Sequence, residues 1–368
     1  MLSSWVSRRN GGVFEAVVAQ AEMLKSLGAA PVVLGVREEA SAEDAWRLEG
    51  IETHLADQSG FASLAYAPDL PGLLDAAHLD LVHLHGIWQF TTKFAGDWAE
   101  ATHKPVVISP HGMLDPWITR RNSWKKHLAR FLWERSAWNS ATAFHALTEA
   151  EAQDIVHETR GAKVATIPNP APPLSSDSDL PRGPNVLYIG RIHEKKNIAA
   201  LLSAWIAAKP KLPEDATLTI AGWGDDAGID MLEHAMRDHK EASIEFVGTA
   251  FGGQKAALFD LARFVVLPSF SEGLPMAMLE AWSAGVPTIM TEHCHLPEGF
   301  TAGAAIECGT DRASICEALV KGLNVAEADW EAMSEAARGL AGGPFSPDTI
   351  AEVWEAFYLA LLEGKSPA

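Results

Sequence analysis

The stretch that most constrains this chain is 262–290, where a short apolar run, a polar loop, a helix and a second apolar run follow in succession. Phe264 to Leu267 is apolar and β-branched without alternation, the pattern of a parallel strand buried on both faces. Residues 269–274 read as a loop. Pro275 suits the first helical position, 276–284 is built of strong helix formers, and Gly285 stops the helix before a second extended run at 286–290. The unit is therefore β–loop–α–β and predicts a parallel sheet. It carries two acids, Glu272 in the loop and Glu280 in the helix. The amides of Gly273, Leu274 and the first helical turn have no helical acceptor, and the positive helix end favours anions. A phosphate seated there, with Glu272 and Glu280 taking hydrogen bonds from hydroxyls on either side, suits a hexose, a diphosphate and a ribose in that order. The alternative is an ordinary βαβ crossover with a solvated Glu. The immediate succession Ser271-Glu272-Gly273-Leu274-Pro275 argues against it.

At 368 residues the length favours two domains, each with its own core. A net charge of −19 speaks against general affinity for nucleic acid, so positive clusters should be local. Three cysteines, Cys294, Cys308 and Cys316, make no disulfide framework and imply a reduced, cytosolic setting. No run of about 18 apolar residues is present, nor an apolar leader region at the start, so neither a membrane span nor secretion is expected.

In the N-terminal half, Gly11 and Gly12 precede a helix expected over 16–27, and such a pair lets backbone donors approach a ligand. Strands are expected at 31–36, 80–85, 104–109, 140–148 and 163–168. Before Gly11 stands only a remnant of a strand, 2–6. Either the first strand is short or the chain starts inside the natural gene product, and the N-terminal sheet edge is the expected weak point. Alternation of strands and helices implies a doubly wound sheet whose ligands gather beyond the carboxyl ends of the strands. His85 and His111 both end strands and both precede glycine, which favours a site over scattered packing, and Trp88 follows close behind. Thr148 and Glu151 form the spacing of a capping box. The segment 117–135 holds six Lys/Arg in an acidic chain. Trp124, Leu128, Phe131 and Leu132 make a helical stripe there, with Lys125, Lys126, Arg130 and Trp133 mostly away from it. A solvated face is one reading; contact with an anionic membrane, Trp133 at the interface, is the other.

Residues 171–184 are rich in Pro, Ser and Asp and read as a linker. A strand at 185–189 then leads into Gly190-Arg191, with Lys196 five residues after the arginine, two cations able to clamp a diphosphate. Asn197 tolerates a left-handed backbone. The strand at 216–221 ends in Gly222-Trp223-Gly224-Asp225, which is not a G-x-G-x-x-G fingerprint, so a nicotinamide site is rejected. Strand 244–248 and helix 254–261 follow. His293, Cys294, His295 and Glu298 invite a zinc reading, but adjacent side chains of an extended segment point apart and no second ligand group lies near in sequence. Helices are expected at 310–321, 326–341 and 346–362.

Glu272 and Glu280, set in Glu-Gly-Leu-Pro-Met-Ala-Met-Leu-Glu-Ala-Trp-Ser-Ala-Gly-Val-Pro, resemble the paired acids of the retaining glycosyltransferases called family 4, or group 1. Gly190-Arg191 with Lys196, the Gly11–Gly12 pair, Pro110-His111-Gly112-Met113-Leu114 and the Gly222 turn extend the likeness from Gly11 to about Phe357. The resemblance implies an α/β chain of the GT-B fold, two Rossmann-like doubly wound domains facing across a cleft. Residues 1–170 would bind the acceptor and 185–345 the nucleotide sugar, with 346–368 crossing back to the first domain. Glu272 would then contact the transferred sugar and Glu280 the ribose. Arg191 and Lys196 would hold the diphosphate, and His111 would lie near the donor's sugar and phosphate. Gly11, Gly12, Gly190, Gly222, Gly273, Leu274 and Pro275 would line the donor, the base would lie near Thr249, and His85 and Trp88 would face the acceptor.

The family needs neither metal nor cofactor. Its donor would be a UDP- or GDP-linked hexose, and its acceptor a glycan or lipid-linked glycan of bacterial surface polysaccharide synthesis. The expected place is the cytoplasm, or peripherally the inner face of the membrane. A sugar-nucleotide epimerase or hydrolase of the same fold, and a non-catalytic sugar-nucleotide-binding protein, are the rival readings.

Overall fold

The computed structural model describes residues 1–120, 123–172 and 182–365, and the chain divides into two units. The first comprises Met1–Pro168 together with residues from Ala351 onward, and the second Asn169–Ile350. Most of the expected 171–184 linker, 173–181, lies outside the described residues.

The first unit holds β1 (Leu2–Trp5), β2 (Val32–Arg37), β3 (Glu52–Asp57), β4 (Val82–His85), β5 (Val106–Ser109), β6 (Ala143–Ala146) and β7 (Val164–Thr166). They pair in the order β3-β2-β1-β4-β5-β6-β7, every described pair parallel. The second unit holds β8 (Asn185–Ile189), β9 (Thr217–Ala221), β10 (Ile244–Gly248), β11 (Phe264–Leu267), β12 (Thr288–Met290) and β13 (Ala305–Glu307), ordered β10-β9-β8-β11-β12-β13 and again parallel. Burial on both faces explains the unbroken apolar runs. Along β2, Val33 packs with Val6, Phe14 and Val17, whereas Val32, Leu34 and Val36 pack with Leu84, Ile108 and Phe144 on the other side. In each sheet the winding direction reverses once, between β1 and β4 and between β8 and β11. Ligands of doubly wound sheets bind at such reversals.

Several expectations need correction. β1 is interior, paired with β2 and β4, and the Met1 amino group donates to the Val32 carbonyl at 2.8 Å. The edge belongs to β3, which was not foreseen because Glu52-Thr-His-Leu-Ala-Asp57 has no apolar run; one face of an edge strand meets water. β13 was missed for its brevity. The first helix, Gly12–Ser26, starts four residues earlier than expected, because Gly11 itself, at φ 57 and ψ −134, makes the entry turn. Pro275 is the residue before the helix Met276–Ser283, with ψ 103, rather than its first residue.

The last helix, Pro347–Leu362, supplies Trp354, Phe357 and Tyr358 to the first unit, all buried. Trp354 stacks on Tyr358 at 5.3 Å and lies 4.5 Å from the His145 ring. Among the described residues no helix is long and apolar enough to cross a membrane.

Candidate functional site

In the second unit the loops beyond β8, β9, β10, β11 and β12 are stitched together by main-chain contacts. Gly222, the residue after β9, has φ 152 and donates its amide to the Gly248 carbonyl at 2.7 Å. A Cβ on it would stand 1.8 Å from the Gly190 carbonyl oxygen, so only glycine permits this crossing of strand ends. The turn Glu194–Lys196 is capped by His193, whose Nδ1 accepts the Lys195 amide at 3.1 Å. Asn197 takes φ 58 and ψ 34, and its Nδ2 donates to the carbonyls of Pro268 at 3.1 Å and Thr310 at 2.7 Å. Asparagine thus does more at this left-handed position than glycine could, tying the β8 loop to the β11 loop. Phe270 N–H to Lys195 carbonyl (2.9 Å) and Glu272 N–H to His293 carbonyl (3.1 Å) complete the seam.

The result is that Lys196 Nζ sits 2.6 and 2.7 Å from the two carboxylate oxygens of Glu272, whose side chain is only 9% exposed. Glu280, in the helix behind it, meets Lys255 Nζ at 2.5 Å. Sequence reasoning missed Lys255; no local signal pairs two positions 25 residues apart on different helices. Gly273 lies between the acids, with Leu274 and Pro275 buried beneath. Among the described residues the Gly273 and Leu274 amides have no backbone acceptor outside the helix, which suits them to an anion. Arg191 follows Gly190 and is exposed; among the described residues it pairs with no acid. Thr249 is exposed one residue beyond β10. Among the described residues no three His, Cys, Asp or Glu side chains gather as a metal site, and Cys294 is buried, its thiol pushed up by desolvation.

In the first unit His85 ends β4, His111 stands in the turn two residues beyond β5, and the two meet, His85 Nδ1 to His111 Nε2 at 3.0 Å, rings stacked 5.2 Å apart. His111 has φ 54 and Gly112 φ 74, so the chain turns back sharply under the imidazole. Burial holds both rings neutral: His85 is lowered well below the ordinary value, and His111 is lowered to about 3. Trp88 stands two residues beyond Gly86 at φ 77, a conformation that costs a bulky residue about 1–2 kcal/mol. Its surroundings enforce it. The Trp88 amide donates to Glu134 Oε1 at 2.7 Å, its indole N–H to the Met113 carbonyl at 3.4 Å, and its ring lies 5.9 Å edge-on to Trp138. Burial pushes the Glu134 carboxyl up to about 7 despite those donors. Gly11 and Gly12 open the helix after β1, with no atom within 4 Å of where a Cβ would stand on either.

Of the buried acids here, sequence reasoning missed Glu134 and gave Glu151 a capping role alone. The capping box is half made: Thr148 Oγ1 accepts the Glu151 amide at 3.2 Å, but the Glu151 carboxylate goes to the amides of Leu147 (2.9 Å) and Gly112 (2.5 Å). It therefore braces the His111–Gly112 turn instead of closing the cap.

Behind the two histidines runs a chain of hydrogen bonds whose polarity is forced. The Ile167 carbonyl can only accept, so His145 Nε2 carries the proton at 2.8 Å. Neutral His145 then accepts at Nδ1 from Ser109 Oγ (2.7 Å), Ser109 accepts from His83 Nε2 (2.6 Å), and His83 Nδ1 accepts from the Tyr358 hydroxyl (2.6 Å). Tyr358 oxygen accepts in turn from Gln20 Nε2 at 2.6 Å. The two links in which an imidazole accepts, at His145 Nδ1 and at His83 Nδ1, need uncharged rings. Burial lowers His145 to about 4 and His83 well below its ordinary value. In the unfolded chain each imidazole binds a proton below about 6.5, so the stability these rings confer is present above that pH and is lost as pH falls toward their folded values. The buried carboxyls Glu134 and Glu151, raised by desolvation, act oppositely. The four lowered imidazoles (His83, His85, His111 and His145) outnumber the raised carboxyls of Glu134, Glu151 and Asp154, so stability should fall as pH drops from about 6.5 to 5. Urea midpoints across that range check the sign; stability rising on acidification would contradict it.

The segment 117–135 is turned the other way from expectation. Residues 121 and 122, and the side chains of Trp117, Arg120 and Ser123, lie outside the described residues. Over Arg130–Glu134 the helix widens by a π-turn, with Arg135 N–H bonding to the Arg130 carbonyl. Glu134 is thereby carried inward, and Trp133 stacks on Phe90 at 5.0 Å instead of facing outward. Trp124, Leu128, Phe131 and Leu132 are left exposed.

Residues 183–341 match the family described as glycosyl transferases group 1, and residues 11–170 match the glycosyl transferase 4-like domain. The chain is 30% identical over 158 residues to O-antigen chain mannosyltransferase B of Escherichia coli, a match covering 42% of this chain and 40% of that protein. It thus spans less than half the length of that relative. It is 26% identical over 290 residues to GDP-mannose:cellobiosyl-diphosphopolyprenol alpha-mannosyltransferase of Xanthomonas oryzae, covering 77% of this chain and 75% of the relative. Among solved structures, Anabaena Alr3699/HepE in complex with UDP superposes with a TM-score of 0.77 at 15% identity, over 98% of this chain and 99% of that one. At that identity the likeness concerns fold, and the fold is that of GT-B glycosyltransferases.

Proposed function

The chain belongs to the group 1 glycosyl transferases, with a glycosyl transferase 4-like N-terminal half, and from that premise we propose that it moves a hexose from a UDP- or GDP-linked sugar to a glycan or lipid-linked acceptor with retention of configuration. The observation that carries this reading is the Lys196–Glu272 pair at the meeting point of five strand-end loops, on the winding reversal of the second sheet. In the free protein Lys196 neutralises Glu272. A bound diphosphate would draw Lys196 and Arg191 to itself, leaving Glu272 to accept hydrogen bonds from the sugar's hydroxyls. Glu280, shared with Lys255, would take the ribose hydroxyls, and the Gly273 and Leu274 amides the phosphate between. As the glycosidic bond breaks, negative charge grows on the departing diphosphate, and two cations with oriented amides stabilise it without need of a metal. Gly190 and Gly222 would let the nucleotide lie against backbone, with its base near Thr249.

In the first unit, a neutral His111 can donate or accept toward the donor's sugar and phosphate, with Gly11 and Gly12 as backbone donors and His85 and Trp88 toward the acceptor. Relatives named for O-antigen and polyprenol-linked glycans support surface polysaccharide assembly as the setting. A lipid-linked acceptor would place the protein peripherally at the cytoplasmic face of a membrane.

The test is incubation with a panel of UDP- and GDP-sugars, with and without acceptor extract, reading nucleoside diphosphate release. A transferase releases it only with acceptor, a hydrolase without it, and a binding protein never. Glu272→Gln should weaken donor binding by about 10- to 100-fold, the range for a hydrogen bond to a charged group. Unchanged binding of every donor in calorimetry would contradict the assignment.

A further inference from the structure

We propose that the helix 123–135 and the cleft beside it form a docking face for an anionic phospholipid surface, the apolar stripe entering the headgroup boundary and arginines of the cleft taking headgroup phosphates. This specifies the membrane contact suggested above and stands on separate residues from the donor site. Trp124, Leu128, Phe131 and Leu132 are 67%, 51%, 83% and 56% exposed, four large apolar side chains open to solvent within nine residues. An apolar stripe of this kind, edged by cations, is the form of a helix that lies in a bilayer interface.

The cations are arranged alongside it. Arg130, Arg135, His157, Glu158 and Arg160 line a cleft of about 450 Å³, and His127, Arg130, Phe131 and Arg135 line a smaller one of about 170 Å³ that shares two of its arginines. Phe131 thus stands at the mouth of the basic group. Glu158 is the single acid of that lining and is engaged by Arg130. Among the described residues neither Arg135 nor Arg160 pairs with an acid. In a chain of net charge −19, uncommitted arginines beside exposed aromatics fit a partner that is both anionic and apolar. A bilayer holding anionic lipid offers both at one depth, and a juxtaposed Lys or Arg gains strongly from its surface potential.

Flotation with vesicles of phosphatidylglycerol and phosphatidylcholine, against phosphatidylcholine alone, tests this with the full chain and no donor. The protein should float with the anionic vesicles only, and excess inorganic phosphate should not compete it off. Arg135→Gln with Arg160→Gln should weaken partitioning roughly 25-fold, about fivefold per arginine. Leu128→Ser with Phe131→Ser should weaken it by at least about tenfold. Both pairs lie on the surface and should leave circular dichroism, melting midpoint and nucleotide-sugar binding unchanged. No flotation, equal flotation with both vesicle types, displacement by phosphate, or variants that float like the parent would each overturn the docking face. Donor binding, measured on the same samples, reports separately on the transferase assignment.

Discussion

Replacing Lys196 by alanine is expected to lower kcat/KM by about 100- to 1,000-fold, the loss typical of removing one preorganised stabiliser of developing charge. The effect should fall chiefly on kcat, because diphosphate charge grows in the transition state while the sugar and base contacts of the ground state persist. The free protein will feel the change as well. Glu272, with a side chain 9% exposed, would keep its charge and lose both bonds from Lys196 Nζ. Leaving a largely desolvated carboxylate unpaired costs about 1–3 kcal/mol of stability. The double variant Lys196→Ala with Glu272→Gln separates the two effects. It should recover most of the stability, since no unpaired charge remains, and none of the activity. Urea denaturation beside steady-state kinetics measures both. Full activity in Lys196→Ala would remove the lysine from the chemistry.

Truncating Trp354 to alanine is expected to destabilise the first unit by about 3–5 kcal/mol, the usual cost of deleting a large buried aromatic side chain. Trp354 is 5% exposed and touches rings on three sides: Tyr358 at 5.3 Å, His145 at 4.5 Å and His83 at 5.5 Å. Beyond the cavity, its loss frees Tyr358, the hydroxyl that feeds the ordered chain through His83, Ser109 and His145. Those rings sit directly beneath His85, which stacks 4.3 Å from His83 and touches His111. Activity should therefore fall along with stability, although Trp354 lies some 250 residues along the chain from these histidines. The denaturant midpoint decides: a loss below about 1 kcal/mol would mean that the last helix is not integral to this core.

The local chemistry of the strand-to-helix turns was legible in sequence because it is short-range. The 264–290 unit, Gly190-Arg191 with Lys196, and the histidines before Gly86 and Gly112 each express a backbone need or a charge within a few residues of a strand end. Parallel pairing also followed from apolar runs without alternation. That Asn197 tolerates a left-handed backbone was legible from its residue type. Polar or brief elements were not legible: β3 lacks an apolar run because it forms an edge, and β13 has three residues.

Only the tertiary structure decided which charges meet. The pairs Lys196–Glu272 and Lys255–Glu280, the bracing of Gly112 by Glu151 and of Trp88 by Glu134, and the relay from Gln20 through Tyr358 to Ile167 join residues up to 338 positions apart. Helical periodicity gave the stripe Trp124–Leu132, yet only the tertiary structure showed it exposed, with a π-turn at Arg130–Glu134 in which Glu134 is buried. A one-residue change in helical phase rotates every side chain beyond it by about 100°. The physical reason is the same in each case: residue type fixes what a position can do with its immediate neighbours, whereas partnership between buried charges depends on where packing brings distant segments together.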